Sequence, residues 1–306
     1  MPGQSYQGPL PPLTDEQRAL EKELRSHVQM LAGQIGERNV VHHERLIMAA
    51  DYIRTTLAGA GYEVRRQPYE VAGKICENLE AEVLGSRRPG DIIVIGAHYD
   101  SVQGSPGAND NASGVAAILG LARAFAKTTP TQTLRFVLFA NEEPPFFQTE
   151  HMGSRVYAKR SRERGEKIVL MLSLETIGYY SDEPGSQHLL FPLNLIYPST
   201  GNFIAFVSNV ENGRLVRQLV GSFRQRAQFP SEGGALPGLT PGVGWSDHWA
   251  FWEEGFPAVM VTDTAPFRYP AYHSHNDRPE LVQYERMARV VSGLQAVILE
   301  IENALR

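Results

Sequence analysis

Three short apolar runs in this chain each end in side chains able to hold a metal. Residues 92–97 lead into His98, Tyr99 and Asp100, residues 134–140 into Asn141, Glu142 and Glu143, and residues 168–174 into Glu175. Two further segments carry the same chemistry: GANDNASG at 107–114 contains Asp110, and YHSHND at 272–277 contains His273. Imidazole and carboxylate without cysteine suit zinc, and other divalent ions according to geometry and supply. Two ions about 3.5–4 Å apart need a carboxylate between them and further ligands on either side. Asp110 can bridge. His98 and Glu175 can hold one ion, Glu143 and His273 the other, with His275 the alternative to His273. Glu142 stands beside a ligand and is free to take a proton from a metal-activated water and pass it to a leaving amine. Asp100, two residues after His98, can fix that imidazole's tautomer. Tyr272 can donate to a developing oxyanion. His248, in Trp-Ser-Asp-His, is a candidate pocket wall, and His42, His43, His151 and His188 have no comparable setting.

Those side chains need a frame. Continuous apolar runs of strand length suit strands buried on both faces. Between the first two runs, Val115, Leu119, Ala122 and Phe125 recur at helical spacing, and residues 152–162 form another helix before the third. Alternating strand and helix predicts an α/β domain with a largely parallel sheet. In such sheets ligands bind beyond the carboxyl ends of the strands, where the metal-capable residues cluster. Thr14 with Gln17 predicts a capping box opening a helix. Leu46, Ala50, Ile53 and Leu57 predict a second helix, stopping near Gly59 and Gly61. Helices are also expected at 215–225 and 285–305, and a strand at 257–262. Residues 1–13, rich in Pro, Gly and Gln, read as a flexible tail, and 14–306 as a single catalytic domain.

Composition removes other classes. The 306 residues are 42% hydrophobic and 21% charged, with a net charge of −5, an ordinary globular balance. No clustered basic face points to nucleic acid. No stretch is long and apolar enough for a membrane span. Cys76 is alone, so no internal disulfide forms, and its apolar setting fits a core side chain. The amino terminus lacks the basic start and apolar run of a secretory signal. A cytoplasmic location is therefore expected, and a secreted chain trimmed of its signal would read the same.

HYDSV, GANDNASGVAAILGLARAF, FANEEPPFFQTEHMGSRVYA, LETIGYY, WSDHWAFWEEGFPAVMVTDTA and YHSHND together resemble the co-catalytic two-zinc aminopeptidases, a family that includes bacterial leucyl aminopeptidases and aminopeptidase Y. The likeness runs from about Leu24 to the carboxyl terminus. It implies a three-layer αβα sandwich with a mixed, largely parallel central sheet. It implies His98, Asp110, Glu143, Glu175 and His273 as metal ligands, Glu142 as base and Asp100 behind His98. Two departures stand out. The fourth ligand position usually holds Asp, and here it is Glu175. The link from Glu143 to Gly153-Ser154 is longer than usual and brings Phe146 and Phe147, which are expected to narrow the substrate pocket. Together with Trp245 and Trp249 they suggest an apolar side-chain preference.

The reading is a hydrolase: a two-zinc metallo-exopeptidase cleaving the N-terminal peptide bond of peptide substrates. Three alternatives accompany it. One is a single-zinc acyltransferase like glutaminyl cyclase. Another is a carboxypeptidase or dipeptidase of the same fold. The third is a binding module that kept the fold.

Overall fold

The structure is a computed structural model and describes residues 1–304. Thr14 caps α1 (Asp15–Val28), its side chain accepting from the Gln17 N–H while Gln17 reaches back, so the expected capping box is formed. A wider helical segment, Gln29–Ile35, follows, then α2 (His43–Gly59). Two strands, β1 (Arg65–Val71) and β2 (Lys74–Val83), form an antiparallel hairpin. The central region then alternates β3 (Arg88–His98), α3 (Gly114–Phe125), β4 (Gln132–Phe139), α4 (Gly153–Glu163) and β5 (Lys167–Glu175). The last third holds β6 (Ile204–Asn209), α5 (Gly213–Arg226), β7 (Ser231–Leu236), α6 (His248–Glu253), β8 (Ala258–Thr262) and α7 (Tyr284–Ala304).

All eight strands join one sheet in the order β1-β2-β4-β3-β5-β8-β6-β7. The four central strands β4, β3, β5 and β8 run parallel, and antiparallel pairs flank them on both sides. Each residue of β4 is buried, as a strand covered on both faces requires. Helices α1, α2, α3, α5 and α7 pack with Leu24, Ile118 and Leu294 on one face of the sheet, while Tyr157 of α4 and Phe251 of α6 pack with Phe139 on the other. The expected three layers and mixed, largely parallel sheet are thus present.

Residues 1–13 contain no helix or strand. They nevertheless touch the sheet: the Ser231 N–H of edge strand β7 donates to Ser5 Oγ at 2.9 Å, and Leu10 packs against the main core. Among the described residues no helix is long and apolar enough to cross a membrane.

Candidate metal centre

Three neighbouring parallel strands deliver the chemistry to one edge. His98 is the last residue of β3, Glu175 the last of β5, and Glu142 and Glu143 follow the end of β4. Asp110 comes from the turn that opens α3, and His273 from the loop before α7, where its φ of 54° is left-handed.

The five side chains form two groups that share Asp110. His98 Nε2 lies 3.2 Å from Glu175 Oε2 and 3.4 Å from Asp110 Oδ1. His273 Nε2 lies 3.1 Å from Asp110 Oδ2 and 3.2 Å from Glu143 Oε2. Within each group the candidate ligand atoms all lie within 4.8 Å of one another. His275, exposed on a neighbouring surface cleft, is in neither group.

Electrostatics tests whether cations fit here. Three carboxylates converge in buried surroundings, and like charges so close cannot all stay ionised without a cation. Asp110 Oδ1 and His98 Nδ1 are buried with no hydrogen-bond partner. Burial, reinforced by Asp110 and opposed by His273, raises Glu143 to about 7. Burial works against a charge on His273, yet Asp110 and Glu143 hold it up to about 10. Burial pushes Glu142 well above the carboxylate range; His98 opposes this, while Glu175, Glu143 and Asp247 add to it. Divalent cations would displace these protons and satisfy the orphaned atoms. An all-nitrogen-and-oxygen donor set suits zinc.

Supporting groups hold the candidates in place. Asp100 is buried and accepts from the N–H groups of Glu142 at 3.1 Å and Glu143 at 3.2 Å. Its Oδ1 stands 3.5 Å from His98 Nδ1, beyond a good hydrogen bond. Asp100 therefore fixes the turn that carries Glu142 and Glu143, and faces the imidazole at longer range. Ser246 Oγ donates to Glu175 Oε2 at 2.7 Å, and the Val102 N–H to Glu143 Oε1 at 3.1 Å.

Sequence reasoning assigned no role to Asp277, Asp263 or Arg38. Asp277 accepts from the N–H groups of Asn109 at 2.8 Å and Asp110 at 3.0 Å. Asp263 accepts from Asn109 Nδ2 at 2.9 Å. The signal for Asp263 was present: it directly follows a buried parallel strand, as Glu142 and Glu143 follow β4.

Beside Glu175 and Tyr272 opens an apolar pocket walled by Phe203, Val207, Met260, Trp245 and Phe267. Trp245 and Phe267 stack with centroids 6.4 Å apart. Tyr272 also stacks on His273, centroids 3.9 Å apart. Of the four aromatics expected to shape the pocket, only Trp245 lines it. Two successive tight turns, Glu143 to Phe146 and Phe146 to Thr149, fold the long link back so that Phe146 packs against the main core. His248 is buried with Nε2 on the Val243 carbonyl at 2.7 Å, and it does not line the pocket either.

Comparison with known proteins accords with this architecture. The profile of peptidase family M28 matches residues 78–298. YfbL of Escherichia coli K12 is 36% identical over 285 residues, covering 90% of this chain and 87% of its own length. Aminopeptidase YwaD of Bacillus subtilis is 28% identical over 226 residues, covering 71% of this chain and 44% of its own. Among solved structures, an aminopeptidase from Aneurinibacillus sp. strain AM-1 superposes with a TM-score of 0.69 at 17% identity, covering 91% of this chain and 93% of that one. A glutaminyl cyclase from Fimbriiglobus ruber does so with a TM-score of 0.67 at 20% identity, covering 96% and 97%. At such identities the structures speak for the fold alone, but the profile spans most of the chain, and the E. coli relative aligns along nearly all of it. The protein is a member of peptidase family M28.

Proposed function

We propose that this chain is a two-zinc aminopeptidase that removes N-terminal residues with apolar side chains, and that residues 14–306 act as one catalytic unit. His98, Asp110 and Glu175 would hold one ion, and Asp110, Glu143 and His273 the other. The observation that carries the reading is Asp110, which turns one oxygen to each group, 3.4 Å from His98 and 3.1 Å from His273. The ions would supply Lewis acidity at the scissile carbonyl and a nucleophile from water near neutral pH.

The chain's own residues supply the rest. Glu142 takes a proton from the attacking water on its carboxylate and delivers it to the leaving nitrogen. Burial holds the Glu142 pKa above the ordinary carboxylate value, and cations at the neighbouring ligands would favour the ionised form that accepts the water's proton. Asp100 holds the backbone of Glu142 and thereby aims it. The Tyr272 hydroxyl is assigned to the oxyanion. Ser246 anchors Glu175 by donating its hydroxyl to the carboxylate. The apolar pocket beside Glu175 takes the N-terminal side chain.

The test is bound metal per chain, measured on protein purified without chelator, with aminoacyl-p-nitroanilides assayed on the same sample. Two zinc ions and release from leucyl but not acetyl-leucyl substrate are expected. Cleavage of N-blocked peptides with a free carboxyl terminus would instead indicate a carboxypeptidase. The likeness to a glutaminyl cyclase fold supports a second reading. One ion, no release and cyclisation of N-terminal glutamine would establish that one.

A further inference from the structure

Arg38 is fully buried, in the turn between the Gln29–Ile35 segment and α2. Burying a guanidinium is costly unless its protons are met, and the common solution is a carboxylate fork. Among the described residues no carboxylate lies within ion-pair distance of Arg38. Its side-chain partners are backbone carbonyls instead. Nε donates to Tyr99 O at 2.6 Å, Nη1 to Pro106 O at 2.6 Å and Gly36 O at 3.2 Å, and Nη2 to Gly107 O at 2.9 Å. Its backbone joins in: the Arg38 N–H donates to Ser101 Oγ at 3.2 Å, and the Ser101 N–H to Arg38 O at 2.9 Å.

These contacts bracket one loop. Tyr99 follows His98, and Gly107 stands just before the turn of Asp110. A single side chain therefore ties down both ends of the segment joining two candidate ligands. Gly107 itself has φ 64°, and a Cβ there would meet Asp110 O at 2.4 Å and Arg38 Nη2 at 3.3 Å. On the other side Asp277 holds the Asn109 and Asp110 N–H groups. Carbonyls of the loop thus face a cation and its amides an anion. The acidic groups whose charges act most on Arg38 are Asp100, Asp277, Asp110 and Glu143. Burial lowers its pKa to about 10, which leaves it charged at neutral pH.

We propose that Arg38 is a positioning residue for the metal centre: its guanidinium sets the loop from Tyr99 to Asp110 so that His98 and Asp110 meet at one ion, and its unpaired charge offsets the excess of carboxylates. The inference rests on the reading of these residues as metal ligands. It is distinct from any role in folding alone, because it predicts a loss of metal affinity beyond the loss of metal-free stability.

The experiment titrates zinc calorimetrically into metal-stripped wild type, Arg38→Met, Arg38→Lys and Ser101→Ala, and records melting of each with and without zinc. Removing groups that orient ligands typically costs 10–100-fold in metal affinity. Arg38→Met is expected to lose that much, with Arg38→Lys, which keeps the charge, losing less. The zinc-induced rise in melting temperature should shrink more than the metal-free melting temperature falls. Wild-type zinc affinity in Arg38→Met overturns the proposal. So does a fall in metal-free melting temperature with an unchanged zinc increment, since that is a structural role only. If Arg38→Met does not fold, Ser101→Ala decides, with about tenfold weaker binding expected and wild-type affinity overturning it. Wild type that binds no zinc would instead overturn the ligand assignment, and this inference with it.

Discussion

Glu142 is the residue at which the chemistry can be separated from the binding. Glu142→Gln keeps the shape and removes the proton carrier, so bound zinc should be unchanged while kcat falls about 10²–10⁴-fold. Full turnover in that variant would end the assignment. His248 carries a prediction about acid. Burial lowers its pKa to about 4, against a slight rise from the Val243 carbonyl. As the pH drops from about 6.5 to 4, the unfolded chain takes up a proton that folded His248 refuses. Stability is therefore lost across that window, by roughly 3 kcal/mol in all. In His248→Gln the stability gap to wild type should narrow as pH falls through the window, followed by urea unfolding at several pH values. A constant gap refutes the linkage. The five candidate ligands and Glu142 were legible in sequence because each follows a strand or sits in a turn that names itself. Asp277 and Arg38 were not. Their contribution is to bond backbone atoms far along the chain, from Asp277 to Asn109 and from Arg38 to Gly107, and residue type alone does not reveal such partners.

At the scale of elements, the turn after β4 depends on close backbone approach. The Gly153 N–H donates to Ala140 O at 2.8 Å, and Asn78 of β2 bonds both residues. A Cβ on Gly153 would lie 2.3 Å from Ala140 O and 2.4 Å from Asn78 Oδ1. Gly153→Ala should cost about 1–3 kcal/mol by overpacking, and should also slow turnover, because the displaced turn leads into Glu142. A wild-type urea midpoint with wild-type kcat would show that the turn gives way freely. The same elements show what pattern reading can find. β3, β4 and β5 were legible because strands covered on both faces carry mostly apolar runs, interrupted only by single buried polar residues such as Arg135 in β4 and Ser173 in β5. β1, with Arg65, Arg66 and Pro68, lies at the sheet edge and is largely exposed. β7 places Gly233 and Gly234 at its centre. Edge position and glycine both erase the periodicity by which a strand is found.

The whole molecule should answer to its ions. A cation that binds only the folded chain stabilises it by about 2.7 kcal/mol at a hundred times its dissociation constant. Chelation should therefore lower the melting temperature, and zinc, but not magnesium, should restore it. A melting temperature indifferent to chelator would mean that folded and unfolded chains hold metal equally, or not at all.

The strand order also sets a timetable. β8 lies between β5 and β6, so β6 and β7 have no place in the sheet until the chain has been made through Thr262. On the ribosome, where amino-terminal segments fold first, β1 to β5 can pair early and assemble Glu142 with four of the five candidate ligands. The walls of the apolar pocket and His273 arrive last. A half-made chain would thus hold most of a hydrolytic centre with no complete means of gripping a substrate. Meanwhile the outer edge of β5 waits unpaired, a template for any passing strand. Chains that end before Ala258 should collect in the insoluble fraction or on chaperones, and the cell meets that hazard in every copy it synthesises.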